Sequence, residues 1–406
     1  MDQPSSLPPT LTDRIPQEIY DSVIAAIGSE IWLTRALGAA SLVCHAWEAS
    51  SRIHIFSSFS FTPASIIFLA YEAGYRVLTS IRCAKYDAEL DVHRFIFLDD
   101  LLQDVLPKIP NLHSLSFEEC APKIITQVGR LSEMGGRITT LGITGDGAGQ
   151  VFSSFRAFQD MVAHFTGLQT LSLSYILWED GAGGSLEGEN IGVDPEVPST
   201  LRSVDIWREQ SPEILLWLSS AAETIRSLKL HTLLPTELPL VPLFTHLEHL
   251  CIGFFEAPQP GDLAKILSPC TMLKTLEVSA NIVLPYESDL VVPTLETTTN
   301  PHQVPWYAEL LSSVSSPLSK LSLQLCPIPE GEVDPMGWKI LRGLLRTSRF
   351  AELKQLDFKV GDYDDVWASR SDCERGIRRE LEGLDPGIQL SVGVRTWTSL
   401  GFVYHD

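Results

Sequence analysis

The sequence predicts an α/β fold in which a three-helix module at the amino terminus precedes a curved, irregular solenoid of strand–helix repeats. Three observations predict it. A pattern of apolar, two variable, apolar, one variable, apolar residues returns nine times between Leu112 and Phe358. The segments between copies carry apolar residues at helical spacing. The first sixty residues lack the pattern and read as helices.

Residues 1–11 are polar and proline-rich, and read as a disordered tail. Ile15, Ile19, Val23 and Ile27 then fall on one helical face, with Pro16 where a first-turn proline presets the backbone without losing a needed N–H. Leu33 to Glu48 forms a second helical stretch with Leu37, Ala40, Cys44 and Trp47 on one side. Ile53, Ile55 and Phe56 make a third, short apolar segment. This module spans 12–60, and 61–110 is expected to hold connecting helices and a weak repeat copy, Leu78/Ile81/Cys83.

The nine full copies are Leu112/Leu115/Phe117, Ile138/Leu141/Ile143, Leu168/Leu171/Leu173, Leu201/Val204/Ile206, Ile225/Leu228/Leu230, Leu247/Leu250/Ile252, Leu273/Leu276/Val278, Leu318/Leu321/Leu323 and Leu353/Leu356/Phe358. Their steps run from 22 to 45 residues, around and beyond the period of leucine-rich repeats. Cys120, Asn281 and Cys326 stand where such repeats place a residue that bonds the turning backbone. Phe152, Phe155, Phe158, Val162 and Phe165 predict a helix before the Leu168 strand, and Ile214, Leu215, Leu218, Ala221 and Ala222 predict another before Ile225. A doubly wound sheet would show continuous apolar strands, whereas these alternate with Ser, Thr, Asp or Lys. The array is expected over 111–395, with insertions near 179–200 and 281–305 and a tail at 396–406.

Composition narrows the function. The chain of 406 residues is 44% hydrophobic, with a mean hydropathy of +0.09, which excludes a disordered chain. Its net charge of −21 and pI near 4.8 exclude binding of nucleic acid or anionic lipid by bulk electrostatics. No apolar run is long enough to span a bilayer, and Met1 to Thr10 show no secretory leader pattern. Seven cysteines lie singly without a CxxC pair, so neither a disulfide framework nor a zinc site is expected. No Asn-x-Ser/Thr acceptor occurs. The expected setting is intracellular, in cytoplasm or nucleus.

The amino-terminal residues resemble a known family. Ile15-Pro16-Gln17-Glu18-Ile19 is similar to the opening Leu-Pro-x-Glu-Ile/Leu of the F-box, and Leu42-Val43-Cys44-His45-Ala46-Trp47 resembles its Leu-Val-Cys-x-x-Trp signature. The separation of the two and Phe56 after them agree with that motif, and Ile15 for Leu conserves volume. The resemblance implies a substrate receptor of an SCF-type cullin-RING ubiquitin ligase. The F-box would bind a Skp-type adaptor, and through it a cullin, while the repeats recruit an unknown protein target. It implies adaptor-binding roles for Ile15, Pro16, Ile19, Leu42, Val43, Cys44 and Trp47. The same residues also suit a plain helical cap on the array, which would make the protein a repeat scaffold acting without a ligase.

Enzyme and cofactor motifs are absent. Gly145 to Gln150 lacks the third glycine of a dinucleotide loop, and no P-loop occurs. His246 and His249 would not converge on one metal from a strand. Around Asp362, Asp364 and Asp365, Trp367 stands where a calcium loop needs glycine. No catalytic residue, cofactor or metal ligand is expected, and ubiquitin transfer to the target, done by other subunits, would rest on proximity.

In each copy the variable positions before, between and after the last two apolar residues face one side of the sheet. Small hydroxyls are their commonest class and none is arginine, which disfavours a reader of phosphorylated segments. Trp207, with Lys229 and His231 on the next copy, is the candidate target-contact patch, an aromatic anchor beside polar groups.

Overall fold

The computed structural model describes residues 18–19, 22–24, 39, 47, 51, 54–61, 78–87, 105–119, 122–145, 150–178, 196–207, 212–254, 261, 263, 265–280, 303–325, 335–362, 370–398 and 401–403. It divides into two compact bodies, residues 1–200 and 201–406. Each is mixed α/β, built on parallel strands that are neighbours in the order of the chain.

In the amino-terminal body the main sheet runs β1 (Ser58–Phe61), β2 (Cys83–Asp87), β3 (Ser114–Glu118), β4 (Thr140–Thr144) and β6 (Thr170–Ser174). Between β4 and β6 the chain makes β5 (Gln150–Phe152), which pairs in parallel with β7 (Ile176–Trp178) as a separate ribbon. Helices α1 (Pro122–Arg130) and α2 (Ser132–Arg137) connect β3 to β4, and α3 (Phe155–Ala163) precedes β6. Ser154 caps α3, its hydroxyl accepting from the Ala157 N–H at 3.1 Å, which satisfies one of the orphan donors of the first turn. The cap places Phe152 outside the expected helix. It is a residue of β5, yet it still packs edge-on to Phe158 with centroids 5.4 Å apart.

Alternation does the work of the core. Leu115, Leu141 and Leu171 are register partners on successive strands, as are Phe117, Ile143 and Leu173, and none is more than 1% exposed. Burial of each such side chain is worth roughly 1.5–3 kcal/mol. Extending the column to β2 corrects the weak copy: Ala84 pairs with Leu115 and Tyr86 with Phe117, whereas Cys83 pairs with the variable Ser114. The repeat positions are therefore Ile81, Ala84 and Tyr86, all buried, three residues along from Leu78/Ile81/Cys83. Small Ala84 and polar-tipped Tyr86 hide the register from a leucine pattern. The sheet also begins earlier than expected, because β1 lies at the end of the 12–60 module.

The carboxy-terminal body runs β8 (Ser203–Trp207), β9 (Ser227–Leu233), β10 (His249–Phe254), β11 (Thr275–Ala280), β12 (Lys320–Leu325), β13 (Gln355–Asp362) and β14 (Gln389–Thr398), all parallel, with β15 (Gly401–Val403) antiparallel on β14. Strand β14 passes the expected limit at residue 395, and β15 lies within the segment expected as a tail. Connector length sets what lies between strands. Helix α4 (Pro212–Ser219) joins β8 to β9, while the shortest step accommodates a 3-10 helix, Leu238–Leu243, whose Pro239 and Pro242 withhold the N–H groups a longer α-helix needs. Helices α5 (Gln303–Ser312), α6 (Pro335–Leu345) and α7 (Arg370–Glu380) precede β12, β13 and β14. The first residues of α5 fall inside the expected 281–305 insertion.

Arginines tie successive connectors together. Arg226 donates to the His246 carbonyl at 3.2 Å, Arg342 to Glu380 at 3.2 Å and Arg346 to Gly383 at 2.7 Å. Guanidinium forks satisfy carbonyls at turns that no strand reaches. Among the described residues no helix is long and apolar enough to cross a membrane.

Of the positions expected to bond the turning backbone, Cys120, Asn281 and Cys326 lie outside the described residues, as do 1–11, 179–195, Asp364 and Asp365.

Candidate partner-binding face

Strand pleating puts the variable residues of each strand on the side opposite the leucine columns. In the amino-terminal body that face is small and polar. Ser114, Ser116, Glu118, Thr140, Gly142, Thr144, Thr170, Ser172 and Ser174 are all half-buried, alternating with buried neighbours. Lys85 on β2 pairs with Glu118 at 2.5 Å.

In the carboxy-terminal body the same face is charged and internally compensated. Asp205 meets Lys229 at 3.4 Å and His231 Nε2 at 3.0 Å. Lys320 meets Asp357 at 3.1 Å, and Lys359 of β13 reaches over β12 to Glu277 of β11. Beneath that reach lies Ser322, the register partner of Glu277, 1% exposed and with its hydroxyl unpaired. Burial pushes the Asp205 carboxyl up, but the His231 hydrogen bond and charge, with the Lys229 ammonium, outweigh it and hold the group below the usual carboxylate range.

The structure brings the three expected contact residues together. Trp207 stacks on His231 with ring centroids 3.7 Å apart and planes 19° from parallel. The indole remains 41% exposed, and Lys229 shares the Asp205 carboxylate with His231. Asp205 is thus the residue that assembles the patch, orienting the imidazole from one edge and anchoring the ammonium from the other.

A β-bulge sets the position of His231. The β9–β10 register runs evenly to Leu230 and Ile252, then shifts so that Leu233 pairs with Phe254. His231 and Thr232 together oppose the single residue Gly253, and both are half-buried where strict alternation would bury one. A bulge re-aims side chains in this way. Gly253 permits it, since a Cβ there would lie 2.1 Å from the His231 carbonyl oxygen.

Behind the patch, on the other side of β8 and β9, lies a cavity of about 10 Å³ lined by Ile206, Ile214, Leu215, Leu230, Thr232, Leu233 and Glu237, about the size of one water. Glu237 is 4% exposed and accepts the Leu234 N–H at 2.8 Å. Burial pushes its carboxyl up to about 7, the Leu234 hydrogen bond pulls the other way, and Glu213 nearby adds to the rise. Sequence reasoning missed Glu237 and Gly253. No local signal marks a glutamate for burial or a glycine for opposing a bulge.

Other candidates remain apart. His249 is exposed on the face, while His246 sits in the turn before it, near the Thr245 hydroxyl at 3.3 Å. Among the described residues no group of three His, Cys, Asp or Glu could hold a metal ion. Cys251 is buried at the centre of the face; burial first, and Glu277 second, push its thiol up to about 12.

At the amino terminus, Ile15, Pro16, Leu42, Val43 and Cys44 lie outside the described residues. Ile19 and Trp47 are described and differ in kind. Ile19 is 53% exposed and Val23, one helical turn on, is 42% exposed. Ile24 is fully buried, and Trp47 packs against it with Ile55. Trp47 therefore belongs to the small apolar cluster, whereas Ile19 presents its side chain to solvent.

No protein-family model matches the chain, and comparison with curated proteins finds no match.

Proposed function

We propose that the chain is the substrate-receptor subunit of an SCF-type cullin-RING ubiquitin ligase, with an F-box over 12–60 and a leucine-rich-repeat solenoid over 111–395. The F-box binds a Skp-type adaptor, and the solenoid recruits a protein target through the Trp207 patch. The observation that carries this reading is the outward-facing pair Ile19 and Val23 on a helix whose Ile24 is already fully buried. A module of this size cannot bury all its apolar groups alone, and an adaptor completes it. Sequential parallel strands with helical connectors support the repeat reading. The chain itself needs no catalytic group, because holding the target near a charged conjugating enzyme supplies the rate.

The test is capture of the full chain by a purified Skp-type adaptor. Ile19→Asp with Val23→Asp changes exposed positions, so the fold is kept, and removes roughly 3 kcal/mol of apolar burial, about 100-fold in affinity. Failure of the unaltered chain to bind, or binding indifferent to the double substitution, overturns the receptor reading and leaves the repeat scaffold. Trp207→Ala should weaken target capture by about tenfold or more.

A further inference from the structure

Glu237 lies directly behind the two strands that carry the candidate contact face. Ile206 and Leu230 are register partners on β8 and β9 and line the Glu237 cavity. Their chain neighbours Trp207 and His231 form the stack on the opposite side. The bulge falls at the same place. Thr232 and Leu233 line the cavity, while His231 and Thr232 together oppose Gly253. The cavity wall and the irregular part of β9 are thus the same residues, and a disrupted ladder is where a strand yields at least expense.

We propose that Glu237 is a proton-operated latch on this face. Protonated, it sits in the apolar cavity and keeps the β9 bulge and the Trp207–His231 stack closed; ionised, it admits water, loosens the bulge and weakens the stack. The proposal rests on the contact-face reading only for its biological consequence, since the stack is observable without a partner.

Among the described residues the charged surroundings are sparse. From α4, the Glu213 carboxylate opposes ionisation of Glu237. Strands β8 and β9 present Ile206, Leu230, Thr232 and Leu233, and the 3-10 helix Leu238–Leu243 contains no charged residue. The Leu234 N–H favours the ionised form. With burial dominant, the carboxyl titrates near 7, so both forms are populated at neutral pH and their ratio changes tenfold per pH unit.

Subtracting the emission of a Trp207→Phe chain from that of the unaltered chain isolates Trp207, and the difference is followed from about pH 5 to about pH 9. A single transition centred near pH 7 is expected. Glu237→Gln should abolish it. Glu213→Gln, which removes the opposing carboxylate, should move it to lower pH. A flat profile in the unaltered chain overturns the latch. So does a transition that persists in Glu237→Gln, which would belong to another group. Should Glu237→Gln fail to fold, an unmoved midpoint in Glu213→Gln decides against it. Partner capture is not read, so failure of the receptor reading leaves this outcome intact.

Discussion

Replacing Gly253 by alanine tests the account of how the Trp207 patch is assembled. The added Cβ would stand 2.1 Å from the His231 carbonyl oxygen, 2.7 Å from its carbon and 2.8 Å from the Ser279 Oγ. Two of those three atoms are backbone, so the overlap cannot be relieved by a rotamer change. Strand β9 must retreat by about 1 Å to restore ordinary contact, at an expected loss of about 1–3 kcal/mol. With a denaturant slope of about 2 kcal/mol/M, a 2 kcal/mol loss lowers the unfolding midpoint by about 1 M. The retreat carries His231 with it, so the Trp207 difference emission should change as well. Gly343→Ala is the control. It lies on the exposed side of α6 with nothing within 4 Å of its Cβ, and should be neutral or stabilising by about 0.5–1 kcal/mol. An unchanged midpoint and unchanged Trp207 emission in Gly253→Ala would refute the claim that the bulge needs glycine opposite it.

Two further outcomes follow from burial. Phe158 is fully buried and packs between Phe152 and Phe155, so Phe158→Ala should destabilise the amino-terminal body by about 3–5 kcal/mol, read as a lower thermal midpoint. Cys251 and Cys270, with thiols pushed up to about 12 and about 11 by burial, hold little thiolate near neutral pH. Mass spectrometry after iodoacetamide treatment of the native chain should find both unmodified, and modified only after denaturant is added.

The pH dependence of stability has a definite sign at Glu237. Its folded-state value near 7 lies above its ordinary 4.5, so the carboxyl favours the fold below about pH 4.5 and that contribution fades as pH rises through 7. The difference corresponds to about 3 kcal/mol. Unfolding midpoints of the unaltered chain should fall over that interval relative to Glu237→Gln. Parallel curves for the two chains would show that Glu237 is not the responsible group.

Much of the sheet was legible because its information is local. A strand turns successive side chains to opposite faces, so Leu141 and Ile143 announce both the strand and its buried side within five residues. The same rule placed Trp207, Lys229 and His231 on one face. It failed where a residue carried no hydropathy signal. Ala84 and Tyr86 stand in for leucine, and the true register of β2 emerges only from pairing with β3. Phe152 has helical spacing from Phe155, but the Ser154 cap starts the helix after it.

The sequence alone determined the alternation, the order of the strands that carry it and the small, arginine-free variable positions of the nine copies, since each follows from side-chain chemistry at fixed chain spacing. Tertiary structure decided the rest. Whether β9 bulges depends on what β10 offers opposite it, 22 residues away, and only Gly253 leaves room. Whether Glu237 is a solvated acid or a buried one depends on Ile206 and Ile214 closing over it from other elements. Strand pleat is a property of the covalent backbone, whereas register shifts and buried charge belong to neighbours that only folding brings together.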